Sequence, residues 1–82
     1  MNDLEMLRLE VLSILNQNVK QIIANVKLNS EQASSLQADV DKQREIISGL
    51  DQKQLIVRRR QLRIEHSILL NTANMLAKAK DG

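Results

Sequence analysis

Apolar side chains recur at helical spacing almost from one end of the chain to the other. From Leu15 they follow a nearly strict four–three alternation: Leu15, Val19, Ile22, Val26, Asn29, Ala33, Leu36, Val40, Gln43, Ile47 and Leu50. The same phase continues through Gln54, Val57, Gln61, Ile64, Ile68, Asn71 and Met75. Such spacing keeps one side of a helix turned toward a neighbour along its whole length. Before Leu15 the apolar positions are Leu4, Leu7 and Val11, a stutter relative to the heptad. Amides interrupt the seam at Asn29, Gln43, Gln54, Gln61 and Asn71. Buried there, an amide sets register and partner choice at a cost in stability; a modest rotation of the helix puts it in solvent instead.

Two stretches interrupt the helical pattern. In "LNSEQASS", residues 28 to 35, Asn and Ser are poor interior helix residues, and Asn29 and Gln32 have the spacing of a capping box. This reads as a weak, solvated stretch within one helix. A second turn near Ser30, giving three helices, is the alternative. In "EIISGLDQKQL", residues 45 to 55, the signals are denser. Ser48-Gly49 offers a helix stop, with Gly49 in the left-handed conformation common after a last turn. Asp51 has an N-capping side chain, Gln54 completes a capping box, and Leu50 and Leu55 are placed as a hydrophobic staple. A lone glycine costs a straight helix only about 1 kcal/mol, so the coincidence of four signals is what favours a turn.

The predicted fold is therefore all-α: a long antiparallel helical hairpin with helices over about 3–48 and 51–80 and a turn near Ser48–Asp51. Two such hairpins would form a coiled-coil or four-helix-bundle assembly. A single uninterrupted coiled-coil helix is the rival, because the heptad keeps its phase across Gly49. Folding back about Gly49 pairs residues whose numbers add to roughly 99, bringing Val40 near Val57, Leu36 near Gln61 and Ile64, and Val26 near Met75. Residues 3 to 19 are then left without intramolecular cover. That overhang carries Leu4, Leu7, Val11, Leu12, Ile14, Leu15 and Val19 on one broad face. Burying each such side chain contributes about 1.5–3 kcal/mol, so a protein partner is expected there. The second helix carries two apolar stripes. One runs through Leu55, Leu62, Leu69 and Leu76; the other, on the opposite side, through Val57, Ile64, Ile68 and Met75. The second stripe also calls for a partner.

Composition supports this class. The chain of 82 residues has room for one domain and contains no Pro, Cys, Phe, Tyr or Trp. Its core must be aliphatic and narrow, and so short a chain gains much from oligomerisation. Without Cys there is neither a disulfide nor a thiolate metal site. No apolar run approaches the roughly 18 to 20 residues of a membrane span, and the acidic, amphipathic start argues against a secretory signal peptide. A cytoplasmic location is the expectation. Charge is mild but uneven: five basic against seven acidic residues give residues 1–50 a net −2, and seven against three give residues 51–82 a net +4.

Candidate chemistry is sparse. His66 is the only histidine, and it lacks the second His, Cys or HExxH context of a metal site. It reads as a boundary histidine beside the core, with scope to make assembly pH-sensitive. Arg58, Arg59, Arg60 and Arg63 form a basic patch. It reads first as a solvated flank paired with first-helix acids such as Asp39 and Asp41. An acidic protein partner comes next and nucleic acid last, because no aromatic is available for base stacking and the arginines fan around the helix. The methionines read as gap-fillers. Nothing suggests a small-molecule substrate, a cofactor, a metal or a catalytic group.

The expected role is thus non-enzymatic: protein–protein interaction by coiled-coil assembly, as a homo-oligomer or within a helical complex. A small chaperone or adaptor holding an apolar helical client is the alternative. In size and hairpin architecture alone, the chain is similar to small helical co-chaperones of bacterial secretion systems, and that resemblance carries no residue motif. A nucleic-acid-binding coiled coil is the third reading.

Overall fold

The computed structural model describes residues 2–81. Three helices follow one another: α1 (Asp3–Asn25), α2 (Ser30–Ser48) and α3 (Gln52–Asp81). Each N-terminus is set by its own sequence. Asn2 caps α1, its side chain accepting from the Glu5 N–H at 2.7 Å. Asn29 caps α2 through a full capping box, in which its side chain takes the Gln32 N–H at 2.8 Å and the Gln32 side chain takes the Asn29 N–H at 3.1 Å. Asp51 and Gln54 form the same reciprocal pair before α3, at 2.8 and 2.9 Å. These bonds satisfy N–H groups that a helix start leaves without intrahelical partners.

The helix expected over 3–48 is therefore two helices, and neither the hairpin with that long first arm nor the uninterrupted rod describes the chain. Val26 leaves the helical conformation for an extended one (φ −129°, ψ 132°), and residues 26–29 connect α1 to the Asn29 cap. The physical reason lies in what the break makes accessible. A continuous helix over 3–48 would be about 69 Å long with its first half bare. The molecule instead measures 48 × 26 × 19 Å, its long dimension set by α3.

Hydrogen bonds between elements give the directions. Asn18 reaches the Leu62 carbonyl and Asn25 the Leu69 carbonyl, both at 3.0 Å, so residue numbers rise together and α1 runs parallel to α3. Arg44 of α2 donates to Asn16 at 2.8 Å, and Arg58 of α3 donates to Gln43 at 2.9 Å, with α2 running back beside α1, which itself packs directly on α3. The pairs expected from a hairpin about Gly49 are not formed. Val26 and Met75 are among the exposed hydrophobics, and α1 and α3 pair with a constant offset, not a constant sum.

The core is a small cluster of Val11, Ile14, Leu15, Ile47, Leu55 and Leu62, with Leu7, Leu12, Val19 and Leu50 packed against it. At about 1.5–3 kcal/mol per buried aliphatic side chain, this is enough to organise a short helical chain but leaves little margin. The first-helix residues expected to overhang are largely the ones that fill it. Val11, Ile14 and Leu15 are covered from within the chain, by α3 and by Ile47 of α2. The uncovered length falls at the other end, where residues 74–80 of α3 are exposed.

The turn between α2 and α3 is where the sequence placed it, but Gly49 is not left-handed. Its φ is −100° and ψ 0°, and the chain closes with short-range bonds from the Gly49 N–H to Ile46 (3.1 Å) and from the Leu50 N–H to Ile47 (3.2 Å). Arg8 of α1 donates to the Leu50 carbonyl at 2.9 Å and so ties this turn to the start of the chain.

Candidate functional site

Leu55 and Leu62 of α3 are buried, and Leu69 is half-buried, on the face turned to α1. They are seven residues apart, as are Val11, Asn18 and Asn25 on α1, and each lies 44 positions from its counterpart. Asn18 is the most deeply buried polar residue of this contact, 1% exposed. Its Nδ2 donates to the Leu62 carbonyl, and its Oδ1 lies 2.8 Å from His66 Nδ1. An Oδ1 that accepts there requires the proton on His66 Nδ1, which leaves Nε2 as the other polar edge of the ring. Asn25 repeats the pattern, donating to Leu69 while accepting from Gln21 at 2.9 Å. These amides satisfy themselves on backbone carbonyls, which is how polar groups sit within a seam without a large penalty.

The seam amides are thus Asn18 and Asn25, not those named from the sequence. Asn29 is a cap, Gln54 belongs to a capping box, Gln43 takes the Arg58 guanidinium, and Gln61 and Asn71 are exposed. The signal for the right pair was present: Asn18 and Asn25 are in phase with Leu4 and Val11, the heptad that begins before the stutter.

The basic patch divides. Arg59 and Arg63 both close on Glu10 of α1, at 3.0 and 2.7 Å. Asp41 instead faces Arg44 at 3.5 Å. The expected pairing with Asp39 and Asp41 is replaced by Glu10 because α1, not α2, lies along this side of α3. Arg60 is exposed on the outer side. These ion pairs are at least partly solvated, and each contributes at most about 1 kcal/mol.

On the far side of α3 is the second apolar stripe. Val57 is 54% exposed, Ile64 58%, Ile68 59% and Met75 70%. Gln61 and Asn71 complete its four–three spacing and are exposed too. Of the candidate partner-binding residues, this group remains open while Val11, Ile14 and Leu15 are buried and Leu7 and Leu12 half-buried; Leu4 stays 37% exposed. A second apolar feature lies between α1 and α2, a cleft of about 390 Å³ lined by residues that include Ile23, Val26, Leu28, Leu36 and Val40. No helix among the described residues is long and apolar enough to cross a membrane, and no group of three His, Cys, Asp or Glu there is placed to hold a metal ion. No protein-family model, curated protein or solved structure matches the chain.

Proposed function

We propose that this chain is a non-enzymatic interaction module that works by helix-to-helix assembly through the outer face of α3. The observation that carries the reading is the regular exposed stripe Val57, Ile64, Ile68 and Met75, each more than half exposed. Four aliphatic side chains in one line, at a spacing that suits a neighbouring helix, are a costly surface to leave in water. Leu55, Leu62 and Leu69 already hold α3 to α1, so this stripe is free to bind without unfolding the bundle. Arg60 and Glu65, exposed beside it, would contribute to partner choice more than to affinity.

The adaptor reading is second, and the open cleft between α1 and α2 favours it. Val40 is buried and Leu36 half-buried there, yet Ile23 and Val26 are at least half exposed, so an apolar client helix would find a seat. Nucleic-acid binding stays third, since Glu10 engages two of the four arginines.

Size-exclusion chromatography with light scattering over a concentration series tests the proposal. A concentration-dependent oligomer that Ile68→Asp disperses is the expected result. An Ile68→Asp chain with an unchanged association state overturns the assignment of this face. A monomer that binds no helical partner overturns the interaction reading itself.

A further inference from the structure

We infer that the outer stripe of α3 is a self-complementary seam, and that its occupant is the α3 of a second copy running antiparallel, with Val57 against Met75, Gln61 against Asn71 and Ile64 against Ile68. This rests on the interaction reading above and goes beyond it by naming the partner, the direction and the register.

Six positions of α3 make up the outer stripe. They read Val57, Gln61, Ile64, Ile68, Asn71, Met75: apolar, amide, apolar, apolar, amide, apolar. The sequence of classes is the same in both directions about a point beside His66. An antiparallel two-fold pair of helices needs this property, since residue i must meet j while j meets i. The spacings are four, three, four, three and four, so each layer of an antiparallel pair joins one position of the heptad to its complement. Three such pairs give six layers over about 27 Å of helix.

The amides set the register. In the proposed alignment Gln61 and Asn71 meet, and each side-chain amide both donates and accepts. Sliding one helix by a heptad puts Gln61 opposite Ile64, or Ile68 opposite Asn71, and leaves an amide buried against hydrocarbon.

Separation of the two basic clusters favours the antiparallel direction, and it is opposed only by the exposed Arg60–Glu65 contact that a parallel pair would form, a solvated ion pair of little strength. Arg58, Arg59, Arg60 and Arg63 crowd into the first half of α3, with Glu10 as the acid drawn in against them. Two parallel copies would bring these clusters level with each other. Antiparallel copies place residue 60 opposite residue 72 and separate the clusters by about 18 Å along the axis, beyond the roughly 8 Å screening length of physiological salt. The surrounding surface is open: Arg60, Ser67 and Asn74 on one flank, and Glu65 and Thr72 on the other, are all exposed.

The test uses the absence of cysteine in the chain. Val57→Cys and Met75→Cys are made separately, since both positions are exposed and both variants should fold. Each is oxidised alone and as an equimolar mixture, at a concentration where light scattering reports a dimer. The expected result is a cross-linked dimer in the mixture and little in either variant alone, because like positions lie far apart in an antiparallel pair. Efficient cross-linking of each variant with itself shows a parallel dimer and overturns the direction while leaving the interaction module intact. A wild-type chain that remains monomeric at all concentrations overturns self-association. If such a monomer forms a defined complex with another helical protein, and Ile64→Asp abolishes it, the interaction reading survives and only the choice of occupant fails. Glu65→Gln adds an independent arm. Near the two-fold axis Glu65 faces its own copy, so the substitution should tighten an antiparallel dimer by about two- to fivefold. In a parallel dimer Glu65 instead faces Arg60, and the same change loosens it.

Discussion

On one side of α3, Leu55, Leu62 and Leu69 lie against α1; on the other, Val57, Ile64, Ile68 and Met75 face solvent. Both rows have the periodicity of a helix that packs against another helix. What separates them is the element the chain itself supplies. The break at residues 26–29 reverses the chain, and the turn at Gly49 reverses it again, so α3 returns parallel to α1 and meets it along one side only. Periodicity marks a face as fit for burial. Caps and turns decide which face is buried within the chain and which is left for another.

The sharpest way to break this contrast is to empty the inner row and compare it with the outer. Leu55 is fully buried within the core cluster. Leu55→Ala removes its packing and leaves a cavity, so it should cost about 2–5 kcal/mol of stability. Ile68→Ala, measured on dilute monomer, should stay within about 0.5 kcal/mol, because that side chain already contacts water. Urea midpoints with matched slopes compare the two. Equal losses would mean that both faces are packed within one chain and that the outer stripe is not available.

Asn18 sharpens the comparison, since it is a polar group on the buried seam. Asn18→Ala removes the bonds to the Leu62 carbonyl and to His66 and opens a small cavity, an effect of about 1–3 kcal/mol. Asn18→Leu refills the space and should recover part of that loss in thermal unfolding, because a well-packed apolar group often replaces a buried polar one at little cost. If both variants are as stable as the wild type, Asn18 does not anchor the α1–α3 register.

These residues also show how far the fold was legible. The α2–α3 turn could be read because all of its signals are local: Asp51, Gln54, Leu50 and Leu55 lie within six residues. The Asn29–Gln32 box was equally local, but the heptad running through Val26, Asn29 and Ala33 argued for one helix, and periodicity cannot report where a helix stops. The open stripe Val57, Ile64, Ile68 and Met75 was legible from angular position on one helix. Its counterpart, Leu7 to Leu15, reads as uncovered from sequence but is not, because cover depends on which way the following elements fold. The Asn18–His66 contact links residues 48 apart and has no local signature.

Removing the caps tests which local signals hold the topology. Asp51→Ala and Asn29→Ala each abolish a reciprocal capping box, and each should cost about 1 kcal/mol in thermal or urea unfolding. Asn29→Ala has a further consequence. Without the cap, α1 and α2 compete with a continuous helix, so helical content should hold or rise while the α1–α3 contact weakens. Far-ultraviolet circular dichroism read beside hydrogen exchange at Asn18 and its neighbours separates these effects. A uniform loss of both signals would show that the cap contributes stability but not the direction of the chain.

The smallest effect belongs to Gly49, the residue the sequence marked most conspicuously. Its φ of −100° is open to any L-residue, and a Cβ built there meets only the Ile46 carbonyl oxygen, at 3.7 Å, which is ordinary contact. Gly49→Ala therefore strains nothing in the folded chain and restricts the unfolded one. It should stabilise the protein by about 0.4–1 kcal/mol, read as a higher urea midpoint at unchanged slope. Should Gly49→Ala destabilise instead, the turn must pass through a conformation that only glycine reaches, and the path from α2 into α3 would have to be redrawn. Since that path carries the outer stripe of α3 to the side away from α1, this modest substitution bears on the same contrast as Leu55→Ala, from the backbone instead of the core.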